Sequence, residues 1–199
     1  MEKGFTTKKR VMPTAQGMAE AAQAAAKGGL PPVHLWDPPY CGEIDMRIAR
    51  DGTWFHEGTP IGRPALVRLF STILKVEDGR HFLVTPVEKV GIAVEDAPFV
   101  AVDFEVQGDG VSQAVTFLTN VGDRALAGPE HPIRVDMDEN GEPAPYVEVR
   151  RGLMALIDRK SFYRLVEIGE VAEHEGAEWF GVRSGGAFFP VQRAAELPG

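Results

Sequence analysis

Hydrophobic and polar positions in the first part of the chain follow two different periods, which together predict a mixed α+β fold. Apolar residues alternate with polar ones over 44–49, before an Arg-Asp-Gly turn and a return strand over 53–57. This order is typical of a β-hairpin. Behind Pro64, apolar residues recur at helical spacing over 66–73 and predict an amphipathic helix, because a proline is well tolerated in the first turn.

A second helix is predicted later in the chain, behind a good N-cap residue, Asp158, with Phe162, Leu165 and Val166 on its apolar face. Alternating segments bounded by turn residues predict the remaining strands. These strands cover residues 80–85, 87–95, 100–106, 114–119, 133–135, 146–150, 153–157, 179–183 and 187–191.

The two predicted helices lie in similar sequence surroundings. VRLF at 67–70 is echoed by YRLV at 163–166, and each helix is followed by an acidic, glycine-ended turn and an aromatic strand. We therefore expect two lobes with a repeated strand–helix–strand core. Two unrelated α+β lobes could share the same order.

The domain organisation follows from these segments. Residues 1–30 are expected to be an N-terminal tail and an alanine-rich helix over 15–27, capped by Thr14 and docked weakly because alanine buries little area. Residues 31–96 form the expected first α+β lobe, which opens with a proline-rich strap. Residues 97–199 form the expected second, β-rich lobe.

Charge and cysteine usage narrow the classes of function. The formal net charge is −8 and the pI is about 5.2. An acidic chain is a poor match for nucleic acid, whose binding relies on Lys and Arg at the phosphates. The single cysteine cannot form an internal disulfide, and no segment has the length and apolarity of a membrane span. The expected location is the cytoplasm, with neither nucleic acid nor membrane as a partner.

Motifs for catalysis and metal binding are incomplete. The run from Asp136 to Gly141 opens like a calcium loop, but its twelfth position is Val147 instead of a bidentate Glu. The histidines lack metal-ligand spacing. Ser184 is not in a nucleophile elbow, and Cys41 has no basic neighbour to activate it. We therefore expect no cofactor, no metal and no catalytic residue.

Basic residues near predicted element ends are the remaining candidates for a site. Arg63 and Arg159 stand at the entries of the two helices, where free N–H groups and the helix dipole favour anions. Guanidinium groups bind phosphate or carboxylate bidentately. Each arginine could instead pair with one of the 29 acidic residues. The proposed ligand-binding residues are Arg63, Lys89, Asn120, Tyr146, Arg150 and Arg159, with Tyr146 stacking and Asn120 hydrogen-bonding.

Several longer runs resemble a known bacterial family. They include IDMRIARDGTW at 44–54, LVTPVEK at 83–89 and PYVEVR at 145–150, within a match over about residues 31–191. The chain is similar to the family catalogued as domain of unknown function 1285. That resemblance implies two related lobes, the second superficially like a pleckstrin-homology β-roll or barrel. It also implies a ligand site at the lobe interface, a nucleotide-type ligand and a signalling role.

The leading functional hypothesis is a non-enzymatic binding or sensor protein that holds a small, nucleotide-like anion between the lobes. A protein-interaction module is the first alternative, with the strap around Trp36 and Tyr40 as its docking surface. A hydrolase that uses Asp45, Asp51 or Glu88 as a general base is the second alternative.

Overall fold

The computed structural model describes residues 14–25, 29–137 and 141–197. It contains three α-helices in those residues, α1 (Ala15–Ala25), α2 (Pro64–Thr72) and α3 (Arg159–Glu167). No helix in the described ranges has the length and apolarity to cross a membrane. The strands are β1 (Tyr40–Ile48), β2 (Trp54–His56), β3 (Thr59–Pro60), β4 (Leu74–Glu77), β5 (Arg80–Val84), β6 (Lys89–Val94), β7 (Phe99–Gln107), β8 (Ala114–Thr119), β9 (Arg124–Leu126), β10 (Ile133–Met137), β11 (Pro143–Arg150), β12 (Leu153–Ile157), β13 (Glu170–His174), β14 (Ala177–Ser184) and β15 (Ala187–Arg193).

The chain divides into two compact units, each assembled from two stretches of sequence. The first unit comprises Met1–Asp45 and Leu69–Ile92, and the second comprises Met46–Arg68 and Ala93–Gly199. Strands β1 and β6 and helix α2 each begin in one unit and end in the other.

Helix α1 belongs to the first unit and begins as its sequence predicts. The hydroxyl of Thr14 accepts a hydrogen bond from Gly17 N at 3.1 Å, which satisfies one of the free N–H groups of the first turn. The expectation of weak docking is wrong for the described part of the helix, because Met18 and Ala22 are both fully buried. The predicted helix end at 26–28 lies outside the described residues.

The strands of the first unit form an antiparallel meander. β4 pairs with β5, and β5 pairs with β6. Sequence patterning predicts β5 and β6 but not β4, whose residues directly follow the apolar stripe of the preceding helix. The start of β1 is joined to this meander, because Lys89 N donates to Pro39 O at 3.2 Å. Leu74, Leu83 and Val90 are buried in this part of the core.

The second unit contains a six-stranded sheet with the order β10-β11-β12-β7-β8-β9. β12 and β7 pair in parallel, and the other neighbours are antiparallel. A separate three-stranded sheet has the order β13-β14-β15, and β1, β2 and β3 pair antiparallel in a hairpin arrangement. The fold is therefore mixed α+β, as expected.

Strand β7 departs from the simple alternation that its sequence suggests. The valines and phenylalanine at even positions of 100–106 predict one apolar face, but Val102 is 38% exposed and Ala101 is buried. The pairing of β7 with β8 shifts register between Ala101 and Asp103. A bulge of this kind turns the following residues to the opposite face of the sheet.

Four tight turns share one backbone conformation. In each of them a non-glycine residue with positive φ is followed by a glycine with positive φ, which is the geometry of a type I′ hairpin turn. The four pairs are Glu57-Gly58, Asp78-Gly79, Arg151-Gly152 and Glu175-Gly176. Each pair directly joins two antiparallel strands: β2 to β3, β4 to β5, β11 to β12 and β13 to β14.

Candidate functional site

A pocket of about 440 Å³ opens on the second unit, where the start of β11 and the end of β12 meet the start of α3. Its volume is in the range of small-molecule sites. Among the described residues, the charged ones in the lining are two arginines, Arg50 and Arg159, and two acids, Glu142 and Asp158. The other lining residues are Gly141, Pro143, Ala144, Pro145, Leu156, Ile157, Phe162 and Tyr163.

The floor of this pocket is an apolar patch on neighbouring strands of the sheet. Tyr146 lies opposite Leu156 in the β11–β12 register, so the two side chains share a face. Ala144, two residues before Tyr146 on the same strand, points to that face as well. Ala97, Ala144 and Tyr146 form one buried cluster, against which Met154 and Leu156 pack. Both strands lie inside the six-stranded sheet and pair with a neighbour on each side.

Arg50 reaches the pocket from the turn between β1 and β2. Its backbone N–H donates to Glu95 Oε2 at 3.1 Å, and the same carboxylate pairs with Arg47. The guanidinium Nε lies 3.1 Å from Asp96 Oδ2. The side chain of Arg50 is therefore fixed at its Nε, while 57% of it remains exposed.

Asn120 fixes the same turn from β8. Its Oδ1 accepts from Val100 N at 3.1 Å and its Nδ2 donates to Gly52 O at 3.3 Å. Gly52 has a φ of +82°, and a Cβ at this position would lie 2.4 Å from Asn120 Nδ2. Only glycine combines this conformation with so close an approach. Asn120 therefore bonds to protein backbone and holds the turn that carries Arg50.

Tyr146 holds the Asp96 carboxylate through a hydrogen bond. Its hydroxyl donates to Asp96 Oδ1 at 2.8 Å, so both oxygens of Asp96 are engaged. Burial, together with this hydrogen bond to a carboxylate, raises the pKa of Tyr146 to about 12. The ring is 9% exposed, and the Arg134 guanidinium lies 5.4 Å from its centroid. Tyr146 thus contributes to the buried floor and to the placement of Arg50.

The start of α3 forms the opposite wall. Asp158 is the N-cap, and its carboxylate accepts from Ser161 N at 2.7 Å. The expected anion site at this helix entry therefore already contains a carboxylate of the chain itself. Arg159 instead donates through Nε and Nη2 to Tyr163 Oη at 3.1 and 3.0 Å. This contact raises the pKa of Arg159 above its usual value.

Of the six predicted ligand-binding residues, the structure places Arg159 in the pocket lining and Tyr146 and Asn120 just behind it. Arg150 pairs with Asp123 and lies 5.0 Å over the Phe99 ring, away from the lining. Arg63 is exposed at the entry to α2 and does not line the pocket.

Lys89 belongs to the first unit and has its own partners there. Its Nζ lies 2.6 Å from Glu77 Oε2, and the other oxygen of Glu77 lies 2.8 Å from Lys75 Nζ. The lysine ammonium is also 5.1 Å from the centroid of the Phe82 ring. Its side chain is 15% exposed, which leaves little of it open to a ligand.

Three residues of the pocket region are absent from the sequence prediction. Arg50 reads as an ordinary turn residue, Asp96 as punctuation between lobes, and Tyr163 as part of the helix segment that echoes 67–70. The useful signal was the Arg-Asp-Gly turn, whose glycine permits a close approach by another element. Nothing in the local pattern identifies Asn120 as that element.

Ser184 and Asp51, two of the candidates for catalysis, make hydrogen bonds within the fold. Ser184 is buried, donates to Ala127 O at 2.7 Å and accepts from Val115 N at 2.8 Å. Asp51 accepts from Thr53 N, and this bond lowers the pKa of its carboxyl group, which makes it a weaker base. Among the described residues, no three His, Cys, Asp or Glu side chains are grouped so that they could hold a metal ion.

Comparison with known proteins defines first a class and then a family. Residues 31–97 match the model described as "Domain of unknown function (DUF1285), N-terminal domain", and residues 98–191 match "Protein of unknown function (DUF1285), C-terminal domain". The chain is therefore a two-domain α+β protein with one domain of each kind. It belongs to the DUF1285 family, as its sequence motifs indicate.

Two solved structures are similar to this chain. A DUF1285 family protein from Silicibacter pomeroyi DSS-3 is 61% identical, with a TM-score of 0.83 over 90% of this chain and 97% of that one. A DUF1285 family protein from Shewanella baltica OS155 is 30% identical, with a TM-score of 0.50 over 62% of this chain and 91% of that one. No curated protein matches the chain.

Proposed function

We propose that this protein is a non-enzymatic binding or sensor protein whose pocket in the second unit holds a small, nucleotide-like anion. The observation that carries the proposal is the pocket of about 440 Å³ with Arg50 and Arg159 in its lining. Its apolar floor would receive a flat ring, and the arginines would bind the anionic group. A signalling role fits a protein that binds a ligand without transforming it.

The placement of Arg50 supports binding over a purely structural role. Its Nε contacts Asp96, while its two Nη atoms have no hydrogen-bond partner among the described residues. An Arg–carboxylate or Arg–phosphate pair is most stable when two parallel N–H bonds form. The pair of Nη atoms at the pocket supplies both donors for such a contact.

Isothermal titration of the full chain with adenine and guanine nucleotides tests this proposal. We expect saturable binding, and we expect Arg50→Gln and Arg159→Gln each to weaken it by about tenfold or more, because each removes a charge-assisted contact. Arg124→Gln is the matched control, since Arg124 makes an exposed pair with Glu105 and does not line the pocket.

The proposal fails if no nucleotide binds, or if Arg124→Gln weakens binding as much as the two pocket variants. A thermal-melting series provides an independent readout, because a ligand at about 100 times its dissociation constant adds about 2.7 kcal/mol of stability.

We also propose that the chain contains a repeated core. The order β1-β2-β3-α2-β4-β5-β6 is matched by β10-β11-β12-α3-β13-β14-β15. Both helices, α2 and α3, have nine residues, and the four positive-φ turns fall at equivalent places in the two series. Superposing the two series in a relative's crystal structure tests this proposal. It is contradicted if the helices and turns do not align together.

The likeness of the second lobe to a pleckstrin-homology barrel remains a proposal. Its support is that strands of the two sheets lie against each other, β10 beside β15 and β8 beside β14. We place the protein in the cytoplasm, on the basis of its single cysteine, with neither nucleic acid nor membrane as a partner.

A protein-interaction module is a second candidate, favoured by the strap of the first unit. Leu30 and Leu35 in this strap are 58% and 73% exposed, so the strap presents two large apolar side chains to solvent. Capture of a defined partner by the wild-type chain, lost with Leu35→Glu and kept with Arg50→Gln, would support this candidate over ligand binding.

A further inference from the structure

The charges around the pocket set a limit on the charge of its ligand. In the part of the chain that the structure describes, Arg50 and Arg159 are the cationic groups of the lining, and Glu142 and Asp158 are the anionic ones. Behind Arg50, Asp96 adds a further carboxylate at 3.1 Å from the guanidinium Nε. Within the described residues, the three carboxylates around the pocket thus outnumber the two guanidinium groups.

A carboxylate offsets part of the positive charge of each arginine. Asp96 neutralises much of the charge of Arg50, and the negative charge of Glu142 contributes to the raised pKa of Arg159. A polyphosphate brings several negative charges, and each would be repelled by the three carboxylates at short range. A ligand with a single negative charge gains the bidentate bond and meets less repulsion.

The contacts of Arg50 also determine which edge of its guanidinium is available. Guanidinium groups bind oxyanions through the Nε/Nη edge or through the Nη1/Nη2 edge. Asp96 occupies Nε, and Tyr146 together with the Glu95 and Asn120 contacts keeps this arrangement in place. The ligand must therefore approach end-on, towards the two Nη atoms.

We propose that the pocket selects a ligand with one negative charge and a flat ring, and that Asp96 is the residue that sets this limit. Among nucleotides, the singly charged phosphodiester of a cyclic mononucleotide has this chemistry, and a nucleoside triphosphate does not. The inference rests on the proposed function and deepens it by naming the charge class of the ligand.

The test is isothermal titration of the full chain with four probes: cyclic adenosine monophosphate, adenosine, adenosine triphosphate and the aromatic monocarboxylate indole-3-acetate. We expect the cyclic nucleotide to bind at least about tenfold more tightly than adenosine or the triphosphate. Tighter binding of the triphosphate by the wild-type chain would overturn the inference and leave the proposed function standing.

Asp96→Asn provides the diagnostic variant, because it keeps the side-chain shape and an acceptor for Tyr146 while removing the charge. We expect the affinity ratio of triphosphate to cyclic nucleotide to rise by about tenfold, since the triphosphate carries more of the charge that Asp96 repels. Arg124→Gln should leave the ratio unchanged. A ratio that does not respond to Asp96→Asn contradicts the assignment of Asp96.

The remaining outcomes separate the two proposals. If indole-3-acetate binds and none of the nucleotides does, the result would support selection of a ligand with one negative charge and reject a nucleotide ligand. Absence of binding by all four probes would reject both the proposed function and the inference. Melting curves of each variant show that it is folded, so that lost binding is not mistaken for unfolding.

Discussion

Two carboxylates, one in each unit, pair with basic side chains that differ in their exposure to solvent. Glu77 in the first unit lies between two lysine ammonium groups, at 2.8 and 2.6 Å, and neither lysine is more than 21% exposed. Asp96 in the second unit lies between a phenol and the Nε of an arginine that is 57% exposed.

The two clusters differ in the other contacts that their basic side chains make. Lys75 also donates to Trp36 O at 3.1 Å, and Lys89 lies over the Phe82 ring. Arg50 lines the pocket and is held at its Nε by Asp96, and no hydrogen bond joins its two Nη atoms to the described residues. A cluster that satisfies its own charges stabilises the fold, whereas one that positions an open donor edge prepares a site.

The largest expected effect concerns the core of the first unit, which should matter for stability and not for binding. Met18 is fully buried, so Met18→Ala should lower the free energy of unfolding by about 2–5 kcal/mol through lost burial and a cavity. Urea denaturation measures this loss. Met137→Ala is the matched control, because Met137 is 65% exposed and should change stability by less than about 0.5 kcal/mol. An equal loss in both variants would show that α1 does not dock.

Glu77→Gln should give the next largest effect. It leaves two partly buried ammonium groups without their carboxylate, and we expect a loss of about 1–2 kcal/mol after allowance for solvent screening. Glu105→Gln, which breaks an exposed pair with Arg124, should cost at most about 1 kcal/mol. Ligand affinity should not change in either variant. A change in affinity with Glu77→Gln would contradict the separation of structural and binding clusters.

Glu77 also predicts a pH dependence. Hydrogen bonds from Lys75 and Lys89 lower the pKa of Glu77 below its ordinary value. The folded state therefore favours the ionised form, and this stabilisation is present above the unfolded-state pKa and lost as the pH falls through the lower folded-state pKa. Denaturation at pH values from 7 down to about 3 should show a steeper loss for wild type than for Glu77→Gln. Parallel curves would exclude Glu77 as the cause.

Tyr146 gives a smaller effect, in the opposite pH direction. Because its pKa is about 12 in the folded protein, its contribution to stability is complete below the ordinary tyrosine pKa of about 10 and is lost as the pH rises towards 12. Ultraviolet titration should show a tyrosine step near pH 12 that Tyr146→Phe removes. The variant should also lose about 0.5–1.5 kcal/mol at neutral pH, because Asp96 loses one donor. A step that persists in Tyr146→Phe assigns it to another tyrosine.

Much of the fold follows from local pattern, and the exceptions have physical causes. The hairpin before Gly52, helix α2 behind Pro64 and the Asp158 cap of α3 are set by residues close in sequence. The pattern missed β4 and β13, which directly follow helices and are short. It could not foresee the bulge in β7, which depends on pairing with β8.

The candidate site was less predictable because its parts are joined by tertiary contacts. Local sequence places Arg159 at a helix entry, because a basic residue behind a helix cap is visible in sequence. Arg50 was missed because its importance depends on Asp96, Asn120 and the floor below it, which come from distant segments. The sequence prediction includes Lys89 in the site, but the structure pairs its ammonium group with Glu77. An ion pair between strands of a meander leaves no short-range signal in the sequence.

The four positive-φ turns have a consequence for the order in which the chain assembles. Hairpins closed by such turns form in about 1–10 μs, because the strands they join are adjacent. The parallel pairing of β7 with β12, which joins Ala101 to Ile157, must close a much longer loop and is slower. The start of β11 and the end of β12, which line the pocket, belong to one such hairpin, whereas Arg50 is brought to the pocket by contacts between distant segments, such as Asn120 with Gly52. The hairpin part of the lining should therefore form early, and Arg50 should join it later.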